Sequence, residues 1–404
     1  MFGSDNGGCA CPGAAPAERW SAEAAHRWYA DLPWLVGCNF TPSYAINQLE
    51  FWQDDTFDLA AIDRELGWAA ALGMNSVRVY LHDLLWQQDA EGFKGRIDAY
   101  LSVAGKHDIR TMLVLFDSCW DPEPVLGRQR DPAPGVHNSG WVQSPGVPAL
   151  CDPEQHHRLH DYVAGVVTAF ADDPRVLAWD VWNEPDNGPA VSQCDPAVRA
   201  AKAALVQPWL SKAFAWARAA RPSQPLTSAI WLGNWSAPHR LSMIQHVQLS
   251  NSDVISFHSY DKPDEFARRI RWLKSYGRPL LCTEYMARPV GSTFQGVLPQ
   301  AREHQVGAFC WGLVRGRTQT HLAWDPAMNR HIEGGTEPWF HDLLHADGRP
   351  FCANEAEFLR QITGKLAMAP PLMPRQTPAD PFRIAGAGPL TNFELQNSKL
   401  ASSP

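Results

Sequence analysis

The chain has 404 residues, 45% of them hydrophobic and 19% charged, with a formal net charge of −8. That composition is globular, and in the absence of any run of 18 or more apolar residues no membrane-spanning helix is expected. An acidic balance with no clustered Lys and Arg argues against a nucleic-acid partner, while the length suits one large domain with extended loops.

Residues 1–18 are rich in Gly, Ala and Pro and read as a loosely held start. They carry neither a basic n-region nor an apolar h-region, so a cytoplasmic location is expected, with a secreted or periplasmic one as the alternative where a signal has been removed. Ser21 caps a short helix running to Ala30, which completes an N-terminal extension over 1–30. A first strand is expected over 34–39 and a helix over 57–72, where Leu59, Ile62, Leu66 and Ala69 recur at helical spacing and Gly73 ends it. The second strand is 75–81, with Arg78, His82 and Asp83 at or near its carboxyl end. A helix over 97–107 leads to the third strand, 111–117, which ends on Asp117. Its loop, 118–150, is long and holds Trp120 and Trp141, and loops of that length are usually functional or disordered.

A helix over 154–170 precedes the stretch VLAWDVWNEPD, where 176–181 suits a strand buried on both faces and Pro185 stops it beside Glu184. A long Ala-rich helix, interrupted near Pro208, is expected over 195–220. Strand five is expected over 226–231, a short helix over 238–247, strand six over 253–258 with Tyr260 just beyond, and a helix over 263–276. Strand seven, 279–284, ends on Glu284. The end of another helix is read at 301–305, strand eight over 307–313, and a second long loop over 314–338 with Trp324 and Asp325. A last helix, 354–363, closes the count. Eight strands alternating with helices predict an α/β fold, a single (β/α)8 TIM barrel over 31–365 with long loops after strands three and eight. The tail 366–404 has neither helical nor strand period and reads as an irregular appendage.

Two glutamates at strand ends are what a parallel barrel needs to bring two acids to one mouth. Two carboxylates flanking a bond in an aromatic cleft are the arrangement for glycoside hydrolysis, and the 18 tryptophans supply apolar faces that suit sugar rings. The ordered set of WNEP on strand four, TEY on strand seven, Arg78 on strand two, His258 with Tyr260 at strand six and Trp311 on strand eight resembles the retaining glycosidases of the large barrel clan. Within that clan it is most similar to glycoside hydrolase family 5, the cellulase and mannanase family.

The resemblance spans roughly residues 35–363. It implies Glu184 as acid/base, Asn183 as partner of the sugar 2-hydroxyl, Glu284 as nucleophile held ionised by Arg78 and Tyr260, His258 near the acid/base, and Trp311 as a sugar platform. Trp120, Trp141, Trp324 and Asp117 complete the candidate substrate-facing set. One departure stands out: members of the family often carry a histidine two residues after the aspartate ending strand three, where this chain has Asp117, Ser118, Cys119. A cellulase specificity is therefore not carried over. The expected activity is double displacement on a β-linked oligosaccharide or glycoside, with the sugar undetermined, exo or short-substrate action favoured, and an endo-β-glycanase as the alternative.

Rival readings leave their own marks. A metal-dependent hydrolase needs His and Asp ligands at several strand ends, for which only His82, Asp83, Asp117 and His258 qualify. A non-catalytic carbohydrate-binding barrel would be expected to lose one glutamate, and both are present. Nine scattered cysteines include Cys9 and Cys11 as C-x-C without a second pair at zinc spacing, and His156, His157 and His160 fall on an outward-facing helix. No metal and no cofactor are expected; the partner is a carbohydrate substrate, and the sequence leaves the oligomeric state open.

Overall fold

Each apolar run read as a strand is followed by a helix that packs back over it, and repetition of that unit closes a barrel. The computed structural model describes residues 18–187 and 196–365. The expected loose start before Glu18, with Cys9 and Cys11, and the tail from 366 lie outside the described residues. The strands are β1 Val36–Asn39, β2 Ser76–Tyr80, β3 Arg110–Asp117, β4 Val176–Asn183, β5 Leu226–Thr227, β6 Ile255–His258, β7 Leu280–Tyr285 and β8 Gly307–Trp311. They are paired in parallel in the order β5-β4-β3-β2-β1-β8-β7-β6. The seam between β5 and β6 is bridged by Ile230, whose N–H donates to Ser256 O (3.2 Å) and whose O accepts from His258 N (2.9 Å). The chain is thus a single (β/α)8 TIM barrel.

Strand five is shorter than its sequence suggests because side chains replace its ladder. Ser228 Oγ donates to Trp182 O (2.7 Å), its N–H is taken by Ser252 Oγ (3.2 Å), and Gln248 Nε2 donates to Ala229 O (2.6 Å). The helix expected over 97–107 begins much earlier, at Asp83, and runs to Lys106 through a non-helical Asp89. Its first half, DLLWQQDAEGFKG, hides the helical period under polar residues and two glycines. The segment expected as one helix over 238–247 divides into a 3-10 turn, Pro238–Arg240, and a helix, Met243–Asn251, started by a Ser242/Gln245 capping box. Pro208 lies inside the unbroken helix Pro196–Ala219.

The helix Ala22–Ala30 is not a loose addition. Trp20, Trp28, Tyr29 and Leu32 pack against Leu35, Met112, Leu177, Val254, Leu281 and Phe309 at the amino ends of the strands, so this segment plugs the barrel floor. The polar strand ends lie at the opposite face, the carboxyl mouth.

Over that mouth the two long loops meet. Asn138 N donates to Thr318 O (2.8 Å), Gln319 Nε2 to Ala133 O (2.7 Å) and Val136 O (3.0 Å), and Asn329 Nδ2 to Gly135 O (2.9 Å). His137 Nδ1 lies 2.8 Å from Leu322 O. The second loop also carries its own helix, Pro326–Glu333, capped by Asp325.

Candidate active site

β2, β4, β6 and β7 deliver the polar residues of the mouth at their carboxyl ends. Glu284, at the end of β7, is 5% exposed and gripped on both oxygens. Arg78 Nη1 (3.0 Å) and the Tyr80 hydroxyl (3.1 Å) donate to Oε1, and the Tyr260 hydroxyl (2.9 Å) donates to Oε2. Arg78 itself is fully buried and held by Asp180 (2.8 Å), Asn39 Oδ1 (2.8 Å) and Asn183 Oδ1 (2.7 Å). A buried guanidinium needs that many acceptors, because its desolvation is otherwise uncompensated.

Glu184 follows β4 in a left-handed backbone conformation, φ +42°, just before Pro185. Such a conformation costs a non-glycine residue about 1–3 kcal/mol and persists where the surroundings fix it. Here Asn187 Nδ2 donates to Oε2 (2.5 Å), the Cys119 thiol lies 3.5 Å from the same oxygen, and His258 Nδ1 is 2.7 Å from Oε1. His258 Nδ1 is also 3.5 Å from Glu284 Oε2, and one oxygen of each glutamate lies with a His258 nitrogen inside a 4.8 Å cluster.

Burial pushes the Glu184 carboxyl up to about 8; repulsion from Asp117 and Asp186 adds to this while the Asn187 N–H opposes it. Burial also pushes Glu284 up, although His258, Arg78 and Tyr260 pull the other way. The sequence leads one to expect its cationic and hydroxyl partners to dominate; they are present, and desolvation outweighs them. Burial pushes His258 down to about 4, so the imidazole that lies 2.7 Å from Glu184 is neutral near pH 7.

The pocket above these groups is open to solvent on one side and has a cavity volume of about 70 Å3. Glu184, Glu284, Asn183, His258, Tyr260, Trp311, Trp120, Trp141 and Trp324 all line it. Trp141 is nearly buried; its N–H donates to Asp117 Oδ2 (2.5 Å) and its ring meets Trp311 edge-on at 6.4 Å. Arg78 and Asp117 do not line the pocket. Asp117 accepts from Asn183 Nδ2 (2.9 Å) and thereby fixes that carboxamide, so both charged residues act on the groups that do reach the pocket.

Reading the sequence left out Tyr80, Asn187 and the contact made by Cys119. Tyr80 had a signal, since two residues on from Arg78 in a strand is the same face. Asn187 had a weaker one, three residues beyond Glu184 in the turn that follows it. Cys119 stands at the position where the sequence departs from the family pattern, and its sulfur accepts from Asn183 Nδ2 (3.4 Å) and Asn187 Nδ2 (3.3 Å). His82 and Asp83 do not join the cluster: Asp83 is tied to Arg158 (2.5 Å) and Ser144 (2.7 Å) instead. His156 and His160 pack on Trp216.

Residues 50–325 match the sequence profile described as Cellulase (glycosyl hydrolase family 5). The chain belongs to glycosyl hydrolase family 5. Among solved structures, this family 5 chain is similar to a GH5_18 protein from Streptomyces cattleya in complex with Manβ1-4GlcNAc (TM-score 0.55, 17% identity, 84% of this chain and 83% of the other). It is also similar to a GH5_18 protein from Bifidobacterium longum subsp. longum, again in complex with Manβ1-4GlcNAc (0.55, 14%, 85% and 81%). A third is the exo-β-1,4-mannosidase Op5Man5 from Opitutaceae bacterium strain TAV5 (0.51, 19%, 82% and 60%). No curated protein sequence matches. The family makes the chain an O-glycosyl hydrolase acting on β-glycosides. No described helix is long and apolar enough to cross a membrane.

Proposed function

We propose that this family 5 hydrolase is a retaining β-glycosidase that releases a sugar from the end of a short β-linked substrate. The observation that carries this reading is the pair of buried glutamates with facing oxygens in the 4.8 Å cluster. Retaining enzymes hold their carboxyl groups about 5–5.5 Å apart, whereas inverting ones need about 6.5–9.5 Å to admit a water. Glu284 attacks the anomeric carbon. Glu184, protonated near neutral pH, donates its proton to the departing glycosidic oxygen and later takes one from the water that releases the sugar. Arg78, Tyr80 and Tyr260 hold the attacking carboxylate in line, and the half-buried Trp311 offers a face to the sugar ring.

Exo action is supported by the joined loops, which wall one side of the mouth. The β-mannosyl class comes first among substrates because two of the similar structures hold Manβ1-4GlcNAc and a third is named as an exo-β-mannosidase. The test is turnover of aryl β-mannoside, glucoside, galactoside and xyloside, with proton NMR of the first-formed product. The expected result is a preference for the mannoside and a product that first appears as the β-anomer. An α-anomer first would exchange the mechanism for inversion. Because Glu184, His258 and Glu284 are also close enough to bind a cation, turnover is measured with and without a chelator, and loss on chelation would favour metal-assisted hydrolysis.

A further inference from the structure

We propose that the wall built by the two joined loops carries a recognition site for the free hydroxyls of the terminal sugar, with Asn138 and His137 as its hydrogen-bonding residues. This inference rests on the glycosidase reading and deepens it, by naming what meets the substrate at its closed end.

Asn138 is 1% exposed, and its backbone is fully used: N–H to Thr318 O (2.8 Å), O from Trp141 N (3.1 Å), at a left-handed φ of +52°. Its side chain is not used in the same way. The residue lines both the main pocket and the smaller one beside Asn39, Tyr80, Trp311 and Thr318, and its buried carboxamide oxygen has no partner among the described residues. A buried amide oxygen left unpaired costs about 1–3 kcal/mol, so such a group at a pocket wall calls for a ligand.

His137 complements it. A carbonyl only accepts, so the 2.8 Å contact with Leu322 O puts the ring proton on Nδ1. Burial lowers this imidazole to about 4, which leaves the ring neutral near pH 7 and Nε2 a bare acceptor on a residue that lines the pocket. Trp120 packs at 6.0 Å from the His137 ring and His341 at 5.5 Å behind it, so the ring has a fixed orientation.

One carboxamide and one neutral imidazole, without a charge, between indole faces, suit vicinal hydroxyls far better than a phosphate or carboxylate. Every sugar hydroxyl both donates and accepts, and this set offers both roles. The hydrogen bonds that join 133–138 to 318–329 tie the two loops together at this wall, which places the ring that reaches it at a chain end in this proposal.

The experiment reads binding rather than turnover. Tryptophan fluorescence is titrated with mannose, glucose, galactose and xylose, and with the monodeoxy forms of whichever binds tightest. The proteins are the wild type, Asn138→Gly, which suits the left-handed backbone, and His137→Phe, which keeps the ring packing; thermal melts check that each is folded. In the wild type, deleting the hydroxyl that meets Asn138 should weaken binding about tenfold, the worth of one neutral hydrogen bond. Asn138→Gly should weaken the parent sugar by the same factor and bind that deoxy sugar no worse than the wild type does; His137→Phe should behave likewise toward a neighbouring hydroxyl. Folded variants that bind parent and deoxy sugars as the wild type does would overturn the proposal, as would a wild type that binds none of the four sugars. Failure of the glycosidase reading shows separately, as absent turnover of aryl glycosides with sugar binding intact.

Discussion

Glu184 and Glu284 have the same side chain and are both buried, so their division of labour has to come from neighbours. Glu284 is surrounded by donors, Arg78, Tyr80 and Tyr260, that favour the charged form which the proposed mechanism needs for attack. Glu184 has a neutral imidazole, one amide and a thiol. Replacing Glu184 with Ala should slow substrates with poor leaving groups by ~10²–10⁴-fold, the range of general acid catalysis, yet spare the first step on activated aryl glycosides. Azide should then restore turnover, because it needs no base. Glu284→Ala should be inactive on both substrate kinds, and the reverse pattern would exchange the two roles. Asn187 refines the argument: its N–H stabilises ionised Glu184, so Asn187→Ala should move the alkaline limb of kcat/KM, set near pH 8 by Glu184, upward. A limb that stays in place or moves down would remove Asn187 from the tuning of the acid.

At the scale of elements, the strands were legible because burial on both faces leaves continuous apolar runs, and VLAWDVWN and LLCTEY can hardly be read otherwise. The boundaries shifted where side chains compete with the backbone, as Ser228 and Gln248 do after β5. The presence of the long loops over 118–150 and 314–338 was legible from length and tryptophan content, but their pairing was not, since contacts such as Gln319 to Ala133 join positions far apart in sequence without any periodic signal. That pairing makes a testable statement about specificity. Gln319→Ala removes three of the hydrogen bonds that join the loops and should raise kcat/KM for a trisaccharide relative to an aryl monoglycoside several-fold, with a cost in stability of about 1–2 kcal/mol. An unchanged ratio would mean that the wall does not limit substrate length.

For the whole molecule, the barrel and the two glutamates at its mouth could be read from spacing because topology alone brings the strand ends together, whereas Arg78 beneath them was implied by the family resemblance. The plug formed by Ala22–Ala30 could not, because nothing in an isolated amphipathic segment says which end of a barrel it covers. Burying a carboxyl also leaves a signature in global stability. Glu184 is raised from its ordinary value to about 8, so between about pH 4.5 and 8 the folded chain keeps a proton that the unfolded chain has released. Its contribution to stability is therefore greatest at low pH and falls as pH rises through that window. Glu184→Gln cannot titrate, and its stability relative to the wild type should climb from pH 4.5 to 8 by an amount on the order of a few kcal/mol and then level off. Parallel melting profiles across that range would contradict the raised carboxyl.

In the proposed mechanism Glu284 becomes covalently attached to the sugar. A 2-deoxy-2-fluoro glycoside with a good leaving group, in the sugar series the enzyme prefers, speeds the first step relative to the second and lets the intermediate accumulate. Mass spectrometry of the intact protein and its peptides should show one fluoroglycosyl group per chain, located on Glu284 within LLCTEY. A label on Glu184, or no label while the same compound is turned over, would contradict the account.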